Sequence, residues 1–476
     1  MSNYQRASES HSHYFEVIRS LEYSWRELCL RYLPIKGENS EWRYSRLQRP
    51  DEPEQGWKFH IAGTVLSASK ILQNIGPFLH SRGIFFKGPS SLQELYKINC
   101  GLFYGYCQVG KCITVYPQNT EEAVALAPQL HKLTRNLPAP AVPFDFKYRQ
   151  NSCLFYRYGS FIDLEIVNPD GTRTPAMRDP VGNLVPDLRE SGFIAPEWAP
   201  DPLPKWKRHI GKPADNPLKT TLRVYRALSQ RGKGGVYQAI DFSAPPPRAC
   251  VLKEGRRHGE TDWLGRDGRW RIKREARVLP ALRAAGIDAP RVYSSFEVDK
   301  NYYLVTEFIE GETLHSFLLN QPKRVSVSQC LRYGYHIARI IQRIHSAGWV
   351  WRDCTPSNII CTGKGRMRPL DFEGACPADQ PDPLPWGTPG YSPPESSEKY
   401  DEGAGVAEDL YALGAIIYQL LTGRLPDTSE LPIPIYKLRR NVPSSARAIV
   451  EAILNRDPQS RPGAHTVAQV LKEFLV

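Results

Sequence analysis

Two sets of residues in this chain are of types and spacings that could do chemistry. In IHSAGWVWRDCTPSNII, Asp353 and Asn358 stand five positions apart, and Asp371 follows thirteen residues later in RPLDFEGA. Phosphoryl transfer needs mainly positioning and charge neutralisation, so its signature is a few metal-binding and orienting polar side chains on loops. At this spacing Asp353 is expected to receive the proton of a substrate hydroxyl and Asn358 to meet a Mg2+. Asp371 is expected to bridge metal to the β and γ oxygens of ATP. The second set is basic: GWKFH supplies Lys58 and His60, and GIFFK supplies Lys87. Strand alternation puts Lys58 and His60 on one face. If Lys87 approaches that face, three cations crowd, and crowding drives a lysine toward the neutral form that acts as a base. Such a site removes a proton beside a leaving phosphate.

Over roughly residues 220 to 470 the first set resembles the protein-kinase family. VLK places Lys253 on a third strand to contact the α and β phosphates, and Glu275 in the next helix resembles its ion-pair partner. GTPGYSPPE ends in Glu395, which resembles the close of an activation segment, with Arg461 in RDPQSRP as its partner. Asp409 in AEDLYALG resembles the residue that braces the catalytic loop. The departures are Trp351 for the usual histidine, Thr355 for the lysine two residues after the base, and Glu373 for the glycine of the metal motif. The glycine loop SQRGKGGVY, anchored on Val236, matches the template only at Gly234, while Gly232 and Gly235 add backbone freedom near the phosphates.

The basic set, over about residues 50 to 200, resembles the lyase region of class III and class IV lanthipeptide synthetases, itself similar to the phosphothreonine lyases. Lys58, His60 and Lys87 occupy the positions of the family's K-x-H strand and downstream F-K. The likeness extends through GKCITVYP (Lys111), FYRYGSF (Arg157) and VPDLRESGF. It implies that Lys87 takes the α proton of a phosphorylated Ser or Thr while His60 protonates the departing phosphate. Lys58 and Arg157 hold its oxygens and stabilise the carbanion, with Lys111 as a helper. YGYCQVGK departs from the family in lacking basic and hydroxyl residues before Gly110.

These sites need elements to hold them. Helical spacing runs over 17 to 33 and 67 to 83, and strand patterns over 57 to 65, 112 to 117 and 154 to 167. The segment from Pro196 to Pro217 is too proline-rich for a persistent helix or strand. Beyond it LRVYRAL, VYQAIDF and ACVLKE read as strands, KREARVLPAL as a helix, YYLVTEFIEG as a strand, and 329 to 348 and 407 to 423 as helices. The expected fold is multidomain α+β. A phosphothreonine-lyase-like α+β domain (1 to 200, with a helical extension to about 45) precedes a linker (201 to 217). A bilobal kinase-like domain then spans 218 to 476, its lobes divided near 310.

The chain has 476 residues, 41% hydrophobic and 24% charged, as expected of a folded multidomain protein rather than a disordered one. Its ten scattered cysteines make no C-x2-C pair, and neither a signal peptide nor an apolar run long enough for a membrane span is present. A cytoplasmic protein is expected. Residues 1 to 200 hold 22 Lys+Arg against 20 Asp+Glu, and the remainder 40 against 30. No aromatic-interleaved basic stripe accompanies this excess, so the expected partners are nucleotide and peptide, not nucleic acid. The resemblances together imply a bifunctional peptide dehydratase acting on a precursor peptide with a leader and a Ser/Thr core. Family members usually continue into a cyclase. This chain stops at Val476, so ring closure is expected in a separate enzyme or not at all. The competing expectations are a signalling Ser/Thr kinase with an N-terminal regulatory domain and a catalytically dead nucleotide-binding scaffold.

Overall fold

The structure, a computed structural model, describes residues 3–38, 41–189, 195–203, 216–321, 324–363, 366–380, 382, 386–395, 405–427 and 431–475, with backbone alone for 3–14. Residues 204–215 of the expected linker and the end of VPDLRESGF lie outside this set.

The first half is built on a seven-stranded antiparallel sheet in the order β1-β2-β4-β5-β3-β7-β6. Its strands are β1 (Ile35–Lys36), β2 (Trp42–Tyr44), β3 (Gln55–Ala62), β4 (Phe85–Pro89), β5 (Lys111–Tyr116), β6 (Phe146–Lys147) and β7 (Leu154–Ser160). Helices α1 (Asn3–Tyr32), α2 (Ala68–Ser81), α3 (Leu92–Cys100) and α4 (Thr120–Thr134) accompany it. Phe59 and Ile61 of β3, Phe86 of β4 and Ile113 and Val115 of β5 join Trp25, Ile71, Leu72, Ile75 and Leu126 from the helices in one buried core. Period-2 alternation then turns Lys58 and His60, Lys87 and Thr114 to the opposite face.

The run 154 to 167, expected as one strand, divides between two sheets. After β7 the chain bends and starts a three-stranded sheet of order β10-β9-β8, from β8 (Glu165–Val167), β9 (Arg173–Arg178) and β10 (Leu184–Pro186). That sheet carries Asp163 at its entrance and Asp187 and Arg189 at its exit.

In the second half a turn of helix, α5 (Pro217–Thr220), leads into a five-stranded sheet of order β11-β12-β13-β15-β14. These are β11 (Leu222–Arg231), β12 (Gly234–Asp241), β13 (Arg248–Gly255), β14 (Val292–Val298) and β15 (Asn301–Glu307), with α6 (Gly268–Ala284) packed on β13 and β15. Below it α7 (Leu314–Leu319), α8 (Val327–Ser346) and the helices Val406–Thr422, Ser444–Ile453 and Ala464–Lys472 enclose a second core. The chain is thus a mixed α/β protein whose second part has a sheet-rich lobe followed by a helical one. No helix among the described residues is long and apolar enough to cross a membrane.

Candidate active site

Four strands bring the basic residues together. Lys87 on β4 pairs with Thr114 on β5, Thr114 with His60 on β3, and His60 with Phe155 on β7. Lys87 and His60 therefore lie in one row, two inter-strand steps or about 10 Å apart. One position along, Lys58 faces Arg157. A β-bulge between Ile61 and Ala62 lets Lys111 pair with Ala62, which turns Lys111 onto the His60 face instead of the core. The five expected residues share one face of one sheet. All but Lys87 are buried, and Lys87 is largely covered, its ammonium 4.6 Å from the centroid of the Trp42 ring.

Acidic residues to which the sequence assigned no role organise these cations. Asp145, before β6, places Oδ2 2.5 Å from Nδ1 of His60, and Asp187 accepts from Arg157. Arg189 lies 3.5 Å from Asp187, and Lys58 donates to the Ser160 carbonyl at 2.5 Å. Asp145 Oδ1 and Arg189 Nε are buried without a hydrogen-bond partner among the described residues. Burial lowers Lys58 well below the ordinary lysine value; Asp187 opposes this, while Arg157 and Lys111 add to it. Burial also lowers Lys87 and pushes Lys111 down to about 8 against the pull of Asp145. Burial lowers His60 to about 3 against the pull of Asp145, with Lys111 and Lys58 adding to the fall. A dianion bound beside the ring would raise it again.

In the second half the two expected carboxylates converge. Asn358 Nδ2 donates at 2.9 Å both to Oδ2 and to the backbone carbonyl of Asp353, and Thr388 donates to Asp353 Oδ1 at 2.8 Å. Burial, with Asp371 beside it, raises Asp353 to about 6. Lys253 lies opposite Val236 across β12 and β13, and its Nζ stands 2.6 and 2.8 Å from the oxygens of Glu275 and 3.4 Å from Asp371. Burial works to raise Asp371, but Lys253 and Lys233 outweigh it and keep the carboxylate charged. Asp371 with the Asn358 amide offers oxygen ligands of the kind a hard divalent cation completes with water and phosphate oxygens, rather than a closed protein cage. Asp409 accepts from the backbone N–H groups of Trp351 and Arg352 at 2.8 and 2.7 Å and meets His345 at 2.9 Å. Arg461 grips Glu395 bidentately at 2.6 and 2.9 Å.

Two departures acquire a reason. Trp351 stacks on Phe372 at 5.4 Å and donates Nε1 to the Asp371 carbonyl at 3.1 Å, so the indole ties the catalytic loop to the metal motif. Glu373 accepts from Lys233, in the turn between β11 and β12. In the glycine loop, the Gly232 N–H donates to the Cys100 carbonyl of the first half at 2.9 Å. Gly235 sits inside β12 opposite Gln230, and Gly234 has φ +154° at the start of that strand.

Comparison with known proteins agrees with both halves. The family described as "RamC, N-terminal domain" matches residues 35–213, and "Protein kinase domain" matches residues 232–472. The probable SapB synthase of Streptomyces coelicolor is 29% identical over 412 residues, 84% of this chain and 43% of that protein. The serine/threonine-protein kinase PknA of Nostoc sp. is 28% identical over 54% of this chain and 47% of its own length. The pkn2 kinase of Myxococcus xanthus is 30% identical over 53% of this chain and 32% of its own length. The chain spans less than half the length of each of these relatives. It belongs to the protein kinase family and joins its kinase domain to a RamC N-terminal domain, the pairing that the resemblance to class III and class IV lanthipeptide synthetases implies.

Proposed function

We propose that the chain is a bifunctional peptide dehydratase, which phosphorylates Ser or Thr of a precursor peptide with ATP and then eliminates the phosphate to give dehydroalanine or dehydrobutyrine. In the first step Asp353, oriented by Asn358 and Thr388, accepts the hydroxyl proton as the oxygen attacks the γ-phosphorus. Lys253, fixed by Glu275, holds the α and β phosphates, and Gly234 and Val236 close the cleft above them. Asp371 and Asn358 would hold a Mg2+, which would supply charge neutralisation of the phosphate oxygens. ATP dependence puts this step in the cytoplasm.

In the second step Lys87 removes the α proton, the new C=C bond forms, the C–O bond to phosphate breaks, and His60 delivers a proton to the leaving oxygen. Lys58 and Arg157, with Lys111, bind the phosphate and steady the carbanion. The observation carrying this reading is the shared face of lysines, histidine and arginine on β3, β4, β5 and β7, all buried but the partly covered Lys87, joined in one chain to a kinase constellation. Hydroxide is a poor leaving group and phosphate a good one, so the product of one half is the substrate of the other.

The relatives named as serine/threonine kinases support a second reading, a kinase whose product keeps its phosphate. Incubation with ATP, Mg2+ and a candidate precursor peptide separates them by mass. Net loss of water marks the dehydratase, and lasting gain of phosphate the simple kinase. Lys87→Ala should turn the first outcome into the second; a variant that still dehydrates at the wild-type rate would remove Lys87 from the reaction.

A further inference from the structure

The two places where the kinase pattern breaks are in contact. Glu373 stands where the metal motif has glycine, and the two-residue turn joining β11 to β12 is Gly232-Lys233, putting a lysine at the tip of the phosphate loop. Lys233 Nζ forms an ion pair with Glu373, the side chains 21% and 8% exposed. Glu373 is two residues beyond Asp371, so the Lys233 ammonium lies against the metal motif, on the Asp371 side that Lys253 also faces. Burial of Lys233 is outweighed by Glu373 and Asp371, which keep it charged.

The backbone fixes this placement. Gly232 N–H is committed to the Cys100 carbonyl, and the Lys233 carbonyl accepts from Arg256 N–H at 2.8 Å. A Cβ on Gly268 would lie 1.8 Å from the Lys233 carbonyl oxygen, so α6 begins directly against the turn. Glycine-rich loops ordinarily cradle phosphates with main-chain N–H groups. Here one such donor is turned to the first domain and an ammonium points into the cleft instead. A triphosphate is a stronger multivalent anion than one carboxylate and competes for the same ammonium.

From this geometry we infer that Lys233 is a second phosphate-binding lysine of the kinase site, which grips the terminal phosphates of ATP and is held by Glu373 when no nucleotide is bound. The inference rests on the phosphotransfer reading of the second half and is independent of the elimination step.

Equilibrium binding of Mg-ATP and of adenosine to the full chain tests it, because adenosine lacks the groups Lys233 would touch. Lys233→Met is expected to weaken ATP about tenfold or more and leave adenosine unchanged, with Lys233→Arg retaining most of the affinity. Glu373→Gln, which frees the ammonium, is expected to tighten ATP, and the tightening should vanish in the Lys233→Met background. Unchanged or tighter ATP binding in Lys233→Met would make the lysine a structural plug and overturn the inference, as would equal loss of ATP and adenosine. If the wild-type chain binds adenosine but gains nothing from the phosphates, Lys233 has no such role. If it binds neither, the phosphotransfer reading itself falls.

Discussion

Asp145 carries no motif, yet the proposed elimination site would depend on it. Its side chain is fully buried, and its Oδ2 stands 2.5 Å from Nδ1 of His60. A carboxylate only accepts, so it fixes the proton on Nδ1 and leaves Nε2 for the departing phosphate. It is also the counter-charge that Lys111 and Arg157 share. Asp145→Asn keeps the shape and removes both effects, because a neutral amide no longer supplies the negative charge that stabilises the imidazolium carrying a proton on Nε2. Loss of that charge costs a positioned acid most of its worth, a rate loss on the order of 10²–10⁴. That corresponds to about 3–5 kcal/mol of barrier, more than the 1.5–3 kcal/mol or so of one charged hydrogen bond. The assay is elimination from a synthetic phosphoserine peptide followed by mass, with phosphorylation of the unmodified peptide as the control for folding. Phosphopeptide should accumulate while phosphorylation continues. Wild-type elimination by Asp145→Asn with phosphorylation intact would show that His60 needs no orienting partner, and the acid role given to it would fail.

Three further outcomes follow from named contacts. Lys111 has a folded value near 8 against 10.5 for a free lysine. Between those values the unfolded chain binds the extra proton, so this group's penalty is fully present below pH 8 and is relieved as pH rises to 10.5. Lys111→Met should flatten the rise in stability over that window in urea unfolding of the full chain. Asp409→Ala strips two buried backbone N–H groups, those of Trp351 and Arg352, of their acceptor, at about 1–3 kcal/mol each. Phosphorylation should fall steeply while elimination from a ready-made phosphopeptide is unaffected; parallel loss of both would mean that the halves do not act as separate sites. In Gly232→Ala a Cβ would stand 1.6 Å from the Asn99 carbonyl oxygen, a strain of about 1–3 kcal/mol where neighbours yield. Hydrogen exchange should then quicken at residues 99–101 and 231–235, and unchanged protection would contradict the contact.

How much of this was legible depended on how local the chemistry is. Asp353 and Asn358 sit on one loop, and their spacing alone sets their geometry, so they could be read directly. Lys58 and His60 were legible through strand alternation. Lys87 reaches them only because β5 lies between β3 and β4, a pairing no period encodes, and Phe85–Pro89 is too short and too rich in Gly and Pro to read as a strand. Lys111 faces the site by virtue of a bulge, which shifts every residue before it to the other side of the sheet. Asp145, Asp187 and Arg189 come from loops and matter only by where the fold delivers them. The 154 to 167 run looked continuous because both pieces are β-rich, but the chain bends after Ser160. Trp351 counted as a departure by residue type; its stacking on Phe372 depends on a contact twenty-one residues away.

The physical cost of the first domain's cation face argues for its use. Taking an ammonium or guanidinium out of water costs several kcal/mol per ion even after relaxation, and Lys58, Lys111 and Arg157 are all buried, with Asp145 and Asp187 as their counter-charges. A domain that served only to regulate a kinase could fill the same sheet face with apolar residues and be more stable. The contacts it makes with the second half lie elsewhere: Tyr106 meets Arg256, Tyr96 meets Arg271 at 3.5 Å and stacks on Trp263, and Cys100 holds the tip of the phosphate loop. Those contacts bear on the turn at Gly232 and on the start of α6, the helix that positions Glu275. They need none of the buried cations. A crowded, dehydrated cation face that the domain interface does not require is an expense an anionic ligand repays, and the phosphorylated peptide of the proposed first step would be such an anion.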